Sequence, residues 1–191
     1  MKVAFDLDEV LADFNSKLLQ FHNENYGTNF AVSDLHSYNL WETWGGTREQ
    51  AIQKVFRFYE SPYFENIKPF DEAIGIIEKL SKNNELVIIT SRPTQLESVT
   101  TDWVHIFFPQ KFSKILLTHH YSNDGKIGKE KDEVCSQESI DVIVEDSLEW
   151  AQKCSRRNVK AILLDRPWNQ TGPANENIIR VEHLNEILGI L

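Results

Sequence analysis

The chain is poor in the residues that mark several classes of protein. Its 191 residues hold only 2 cysteines, 1 methionine, 6 prolines and 8 glycines. Scarcity of that kind excludes a disulfide-built miniprotein, a collagen-like repeat and a low-complexity linker protein. Basic residues are also in deficit, with 20 Lys and Arg against 29 Asp and Glu for a formal net charge of −9. The excess of acid disfavours unspecific association with a nucleic acid polymer or an anionic membrane surface. One small anion in a locally basic pocket stays compatible with it. Apolar runs are short, none approaching the ~18 residues a membrane helix needs. Asp6 breaks the first of them before it can act as a secretory signal, so a cytoplasmic protein of one domain plus a modest insertion is expected. Cys135 and Cys154 fall in helical patterns without metal-ligand spacing and read as reduced, packed thiols.

What the chain does have is a regular alternation. Short, β-branched, continuously apolar runs at 2–7, 85–90, 114–118, 140–144, 159–164 and 178–181 read as strands buried on both faces of a parallel sheet. Helical patterns at 70–81, 95–108, 126–137, 148–157 and 182–191 alternate with them. Strand and helix in turn predict an α/β fold, a doubly wound parallel sheet of Rossmann-like type. One stretch interrupts the alternation. Between about 15 and 61 there is no buried strand, 16–25 and 48–59 look helical, and 32–46 reads as loop. A small helical cap inserted after the first strand accounts for this, with 1–14 and 70–191 as the core and 15–69 as the cap. Its expected place is over the carboxyl ends of the strands, where open α/β sheets bind ligands.

Polar residues gather where the apolar runs stop. Asp6 and Asp8 close the first strand on one side of it, their Cα atoms ~6–7 Å apart at ~3.3 Å per residue. Two carboxylates in one small space call for a cation, a proton or both. Thr90, Ser91 and Arg92 end the second strand with donors suited to phosphate oxygens, although Ser and Thr also cap helices at such places. Glu145 and Asp146 close the fourth apolar run, and a parallel sheet brings them to the edge that carries Asp6 and Asp8. An all-oxygen acidic set of this kind suits Mg²⁺. Glu145 also fits the acidic first turn of the following helix. Of Lys126, Lys129 and Lys131, the last opens an apolar helical face and is the one placed to reach the site.

In this order the motifs resemble the haloacid dehalogenase superfamily in its phosphatase branch. The stretch Phe5-Asp6-Leu7-Asp8-Glu9-Val10-Leu11-Ala12-Asp13-Phe14 is similar to the first motif of 5'(3')-deoxyribonucleotidases and their bacterial nucleotidase-like relatives. Thr90 matches the second motif, Lys131 the third and Glu145-Asp146 the fourth, with Glu9 standing where Gly is usual and Glu145 where Asp is frequent. The resemblance implies a Mg²⁺-dependent phosphomonoesterase that works through an aspartyl phosphate. Asp6 is then the nucleophile and Asp8 the acid and base. Mg²⁺ is held by Asp6, the backbone carbonyl of Asp8 and Asp146, with Glu145 behind them. Thr90, Ser91, Lys131 and Arg92 face the phosphate.

The expected substrate is a small phosphorylated molecule, a nucleoside monophosphate by preference. Phe14, Trp41 and Trp44 are the aromatic residues expected at its pocket, the two tryptophans because a loop carrying both beside Gly45-Gly46 is hard to explain by packing alone. His119, His120 and Tyr121 read as solvent or loop contacts, and Trp168-Asn169 as lining the entrance or closing a loop. Another small phosphate ester as substrate, a receiver-like phosphoacceptor and a catalytically silent binding domain are the competing readings.

Overall fold

Alternate residues of a strand face opposite sides, so runs that are apolar throughout need cover on both. The computed structural model describes residues 1–118, 128–172 and 175–191. In it β1 (Lys2–Phe5), β2 (Glu85–Thr90), β3 (Lys114–Leu117), β4 (Val142–Glu145), β5 (Lys160–Leu164) and β6 (Ile178–Val181) form one parallel sheet. The helices in chain order are α1 (Phe14–Tyr26), α2 (Leu40–Trp44), α3 (Arg48–Tyr59) and α4 (Pro62–Glu65), then α5 (Ala73–Leu80), α6 (Glu97–Phe107), α7 (Lys131–Gln137) and α8 (Leu148–Arg156). Val3, Phe5, Ile88, Val144 and Leu164 point to the side covered by α5 and α6. Their neighbours Ala4, Val87, Ile89, Ile143 and Leu163 point to the side covered by α7 and α8. Each fully buried aliphatic side chain of this set contributes about 1.5–3 kcal/mol. Cys135 and Cys154 lie within the second layer as free thiols, their Sγ atoms 3.9 Å apart.

Strand order β3-β2-β1-β4-β5-β6 puts β1 at the turning point of the winding. The chain leaves β1 toward β2 and β3, then returns past it to β4. Crossovers diverge there, and the crevice beyond the carboxyl ends of β1 and β4 is where such sheets bind ligands. Register completes the placement. Phe5 pairs with Ile88 and with Val144, so Asp6 emerges beside Glu145, its N–H bonded to the Val144 carbonyl at 2.9 Å.

Several elements differ from the sequence-based expectation. Segment 32–46, expected as loop, carries a 3-10 turn at Val32–Asp34 and the short helix α2. Five residues are too few to show a period, and Gly45 and Gly46, at φ 72° and 84°, stop the helix. The short helix α4 was not foreseen; it opens on Pro62, which suits a first turn. The expected terminal helix is a 3-10 run, Leu184–Gly189, in which buried Leu184 and Ile187 keep the three-residue spacing of that helix type. The fourth strand runs Val142–Glu145 rather than 140–144, so Glu145 is a strand residue and not the helix turn that was its alternative reading. Helix α7 begins at Lys131, and Lys126 with His119, His120 and Tyr121 lies outside the described residues. No helix among the described residues is long and apolar enough to cross a membrane.

Candidate active site

A cavity of about 310 Å³ lies between the strand ends and α1–α3. Its floor is ionic. Asp6, Glu145 and Asp146, supplied by the ends of β1 and β4, bring carboxylate oxygens within 4.8 Å of one another, all three residues buried. Lys131 enters from the start of α7, itself only 1 % exposed. Its Nζ is 2.8 Å from Asp6 Oδ1 and 2.5 Å from Glu145 Oε1. The other Glu145 oxygen accepts the Ser147 N–H at 3.1 Å, so both are committed.

Three carboxylates against one ammonium leave two negative charges uncompensated in a desolvated space. Burial is the main cause that raises Asp6 to about 7, with Lys131 opposing it. Burial first, then the nearby Asp6, likewise pushes Asp146 up to about 7. Glu145 is raised by burial as well. Burial disfavours the Lys131 ammonium, yet Asp6 and Glu145 outweigh it and hold the proton more firmly than usual. A hard divalent cation would supply the two missing charges, and an all-oxygen set on a rigid sheet edge suits such an ion.

Asp8 stands apart from this cluster. Arg92 Nε and Nη2 donate to its two oxygens at 2.9 and 2.6 Å in a fork. Arg92 Nη1 donates to Thr100 Oγ1 at 3.2 Å, and the guanidinium lies 5.0 Å from the centre of the Phe64 ring. Arg92, expected to face phosphate, lines the cavity with Thr90 and Ser91, and three of its five N–H donors go to Asp8 and Thr100. Thr90 Oγ1 accepts the Arg92 N–H at 3.3 Å, whereas Ser91 Oγ is buried with no hydrogen-bond partner among the described residues. An orphaned hydroxyl in a cavity wall is a donor lacking its acceptor.

The aromatic expectations divide. Phe14 and Trp41 line the cavity, together with Ile52, Val55, Phe56 and Tyr59. Phe14 also packs edge-on against Phe58 at 5.3 Å. Trp44 does not reach the cavity. Its indole stacks on His22 with centroids 4.3 Å apart and packs against the cluster of Leu19, Leu35 and Trp168, which corrects its assignment to the substrate pocket. Arg48, at the start of α3, lines the cavity unforeseen. Thr47 and Gln50 fix that helix start by exchanging hydrogen bonds in a capping box.

Four further residues escaped sequence reasoning or were left undecided by it. Tyr38 OH and Trp168 Nε1 both donate to Asp146 Oδ2, Trp168 at 2.9 Å. Asn169 Nδ2 donates to the Asp146 carbonyl at 2.8 Å and the Leu164 carbonyl at 2.7 Å, tying the end of β4 to β5. These partners lie 108, 22 and 23 residues away in sequence, and no local pattern announces them. Glu9 has a local cause. It sits at φ 64°, a left-handed conformation that favours glycine, and its Oε1 accepts the Asn15 N–H at 2.6 Å at the uncapped start of α1. Burial raises its carboxyl to about 8.

A family profile described as "5' nucleotidase, deoxy (Pyrimidine), cytosolic type C protein" matches residues 1–190. The chain belongs to that family. This nucleotidase family falls within the haloacid dehalogenase superfamily, and the chain is accordingly a phosphoric monoester hydrolase. A nucleotidase of Clostridium acetobutylicum is 24% identical over 192 residues, covering 100% of this chain and 93% of its own. Among solved structures, the haloacid dehalogenase-like hydrolase SP0104 of Streptococcus pneumoniae superposes with a TM-score of 0.70 at 15% identity, over 99% of this chain and 97% of that one. The Bacillus subtilis hydrolase YfnB, solved with magnesium bound, superposes with a TM-score of 0.65 at 15% identity, over 99% and 97%. At such identities these structures show the shared α/β fold.

Proposed function

We propose that this nucleotidase is Mg²⁺-dependent and releases phosphate from nucleoside monophosphates, deoxy forms included, through a phosphorylated Asp6. One observation carries the reading. Asp6 lies on the ionic floor of a cavity whose other walls are aromatic and apolar, so a phosphate at the floor leaves its nucleoside against Phe14 and Trp41. Aromatic faces stack bases with about 1–3 kcal/mol each. The word cytosolic in the family's description and the acidic balance of the chain support action in the cytoplasm. We take 15–69 as the cap and 1–14 with 70–191 as the core on the same reading.

Asp6 attacks phosphorus, forming an O–P bond while the bond to the departing ester oxygen breaks and its electron pair leaves with that oxygen. Asp8 supplies the proton that the departing oxygen takes up. Because Arg92 grips both Asp8 oxygens, the side chain has to turn out of the fork first. Water then attacks the phosphorus, giving its proton to Asp8, and the P–O bond to Asp6 breaks to restore the carboxylate. Lys131 and the hydroxyls of Thr90 and Ser91 hold the phosphoryl oxygens, Ser91 gaining the acceptor it lacks. Glu145 keeps Lys131 in place. Mg²⁺, when held by Asp6, Asp146 and the Asp8 carbonyl, offsets the charge of the carboxylates and phosphate and orients the oxygens.

The test is phosphate release from a panel of purine and pyrimidine nucleoside monophosphates and sugar phosphates, with Mg²⁺ and then with EDTA. Turnover of nucleotides that EDTA abolishes is expected. Turnover that survives EDTA, or a preference for sugar phosphates, overturns the reading.

A further inference from the structure

Asp146 accepts two hydrogen bonds on one oxygen, and the donors belong to different parts of the fold. Trp168 Nε1 reaches Oδ2 from the 3-10 turn that follows β5 in the core. Tyr38 reaches the same atom from the segment just before α2 in the cap. Both donors leave Oδ1 alone, and the two rings meet edge to face with centroids 6.2 Å apart.

Packing does not account for Tyr38. The residue is 46 % exposed, while the carboxylate it binds is almost wholly buried. Fixing an exposed side chain costs rotamer entropy, which a hydroxyl-to-carboxylate bond offsets because its acceptor is charged. Tyr38 is a direct polar tie from the cap to a carboxylate of the ionic floor.

We propose that Tyr38 is a positioning residue that makes cation binding at Asp6 and Asp146 depend on the cap being seated over the sheet. The inference rests on the reading of those carboxylates as a divalent-cation site. Trp168 orients Asp146 from the core side of the chain, its ring packed against Leu19 and Leu35 of 15–69. Tyr38 does so only with the cap in place. Whatever the seated cap adds to cation affinity, the cation returns to the seated cap, since coupling between two binding equilibria is reciprocal.

The experiment uses the full chain without substrate. Mg²⁺ is titrated into wild type, Tyr38→Phe and Asp146→Asn by calorimetry, and hydrogen exchange of residues 31–46 is followed with and without Mg²⁺. Phe keeps the ring against Trp168 and loses only the hydroxyl, so the melting temperature reports whether the fold is retained. Outer partners of metal ligands typically change affinity by about 10–100-fold, and Tyr38→Phe is expected to weaken Mg²⁺ by about 10-fold. Mg²⁺ should protect 31–46 from exchange in wild type and not in Tyr38→Phe. A weakening of less than about threefold against that 10–100-fold range, or equal protection in both proteins, overturns the inference. Absence of Mg²⁺ uptake by wild type sinks the cation reading itself and the inference with it. Uptake by wild type that Asp146→Asn abolishes leaves Tyr38 alone on trial.

Discussion

At the strand ends three carboxylates crowd one lysine, whereas inside the cap a chain of neutral and singly charged groups is satisfied throughout. Lys54 Nζ donates to His22 Nε2 at 3.0 Å, His22 Nδ1 to Thr28 Oγ1 at 2.8 Å, and Thr28 to Asn23 Oδ1 at 2.8 Å. Trp44 covers the imidazole, and Lys54 lies 4.6 Å from the centre of the Tyr26 ring. The floor is short of positive charge and has an orphaned hydroxyl beside it; in this network Lys54, His22, Thr28 and Asn23 satisfy one another, and the buried Trp44 Nε1 is without a hydrogen-bond partner among the described residues. The difference teaches where to look for chemistry. A region held in an unfavourable electrostatic state by a rigid scaffold is prepared for a cation and an anion, and a region already at rest is prepared to hold its shape.

Substitutions should therefore separate the two regions. The largest effect is expected for Asp6→Asn, with kcat on a nucleoside monophosphate falling by about 10³-fold or more, the scale on which covalent catalysis fails without its nucleophile. Thermal melting should show the fold unharmed, because one uncompensated buried charge has gone. Lys131→Met removes the only ammonium among the described residues of the floor, leaving Asp6 and Glu145 without their partner. A loss of about 3–5 kcal/mol in urea unfolding is expected for breaking a buried ion pair, and an unchanged midpoint would show that the pair is not what holds the floor together.

In the cap the two tryptophans should part company. Trp44→Ala should cost about 2–3 kcal/mol, near the low end for a partly buried aromatic, and act on stability alone. Trp41→Ala should raise KM for nucleotides about 10-fold, equivalent to ~1.4 kcal/mol of stacking, with little change for a small generic ester. Equal effects on both substrates would return Trp41 to packing. The smallest effect is electrostatic. Burial, aided by Lys54, lowers His22 from its ordinary value to about 4, so the unfolded chain binds the proton that the folded chain refuses. Stability from this source is complete above about pH 6.5, the unfolded value, and is lost as pH falls from there through about 4. His22→Gln should flatten that stretch of the stability–pH curve, as chemical unfolding at a series of pH values will show.

How much of this could be read from the sequence varies with the distance over which each fact is decided. The strands were legible because apolar runs of Val, Ile and Leu leave a parallel sheet as their simplest burial, and with it came the meeting of Asp6, Glu145, Asp146 and Lys131 at one edge. Helices α2 and α4 were not legible, being too short to show a period. The grip of Arg92 on Asp8 was not legible, because a guanidinium beside a phosphate site and one clamping a neighbouring acid look alike until the acid is placed.

By itself the sequence determined the winding of the sheet, which residues end its strands and that acids and a lysine stand at those ends, since side-chain alternation and apolar run length act over a few residues. Only the tertiary structure decided which partner each polar group takes: Arg92 with Asp8, Trp44 with His22, Tyr38 with Asp146. A hydrogen bond or a ring stack is settled within about 3–5 Å, and groups brought that close by the fold can lie anywhere along the chain.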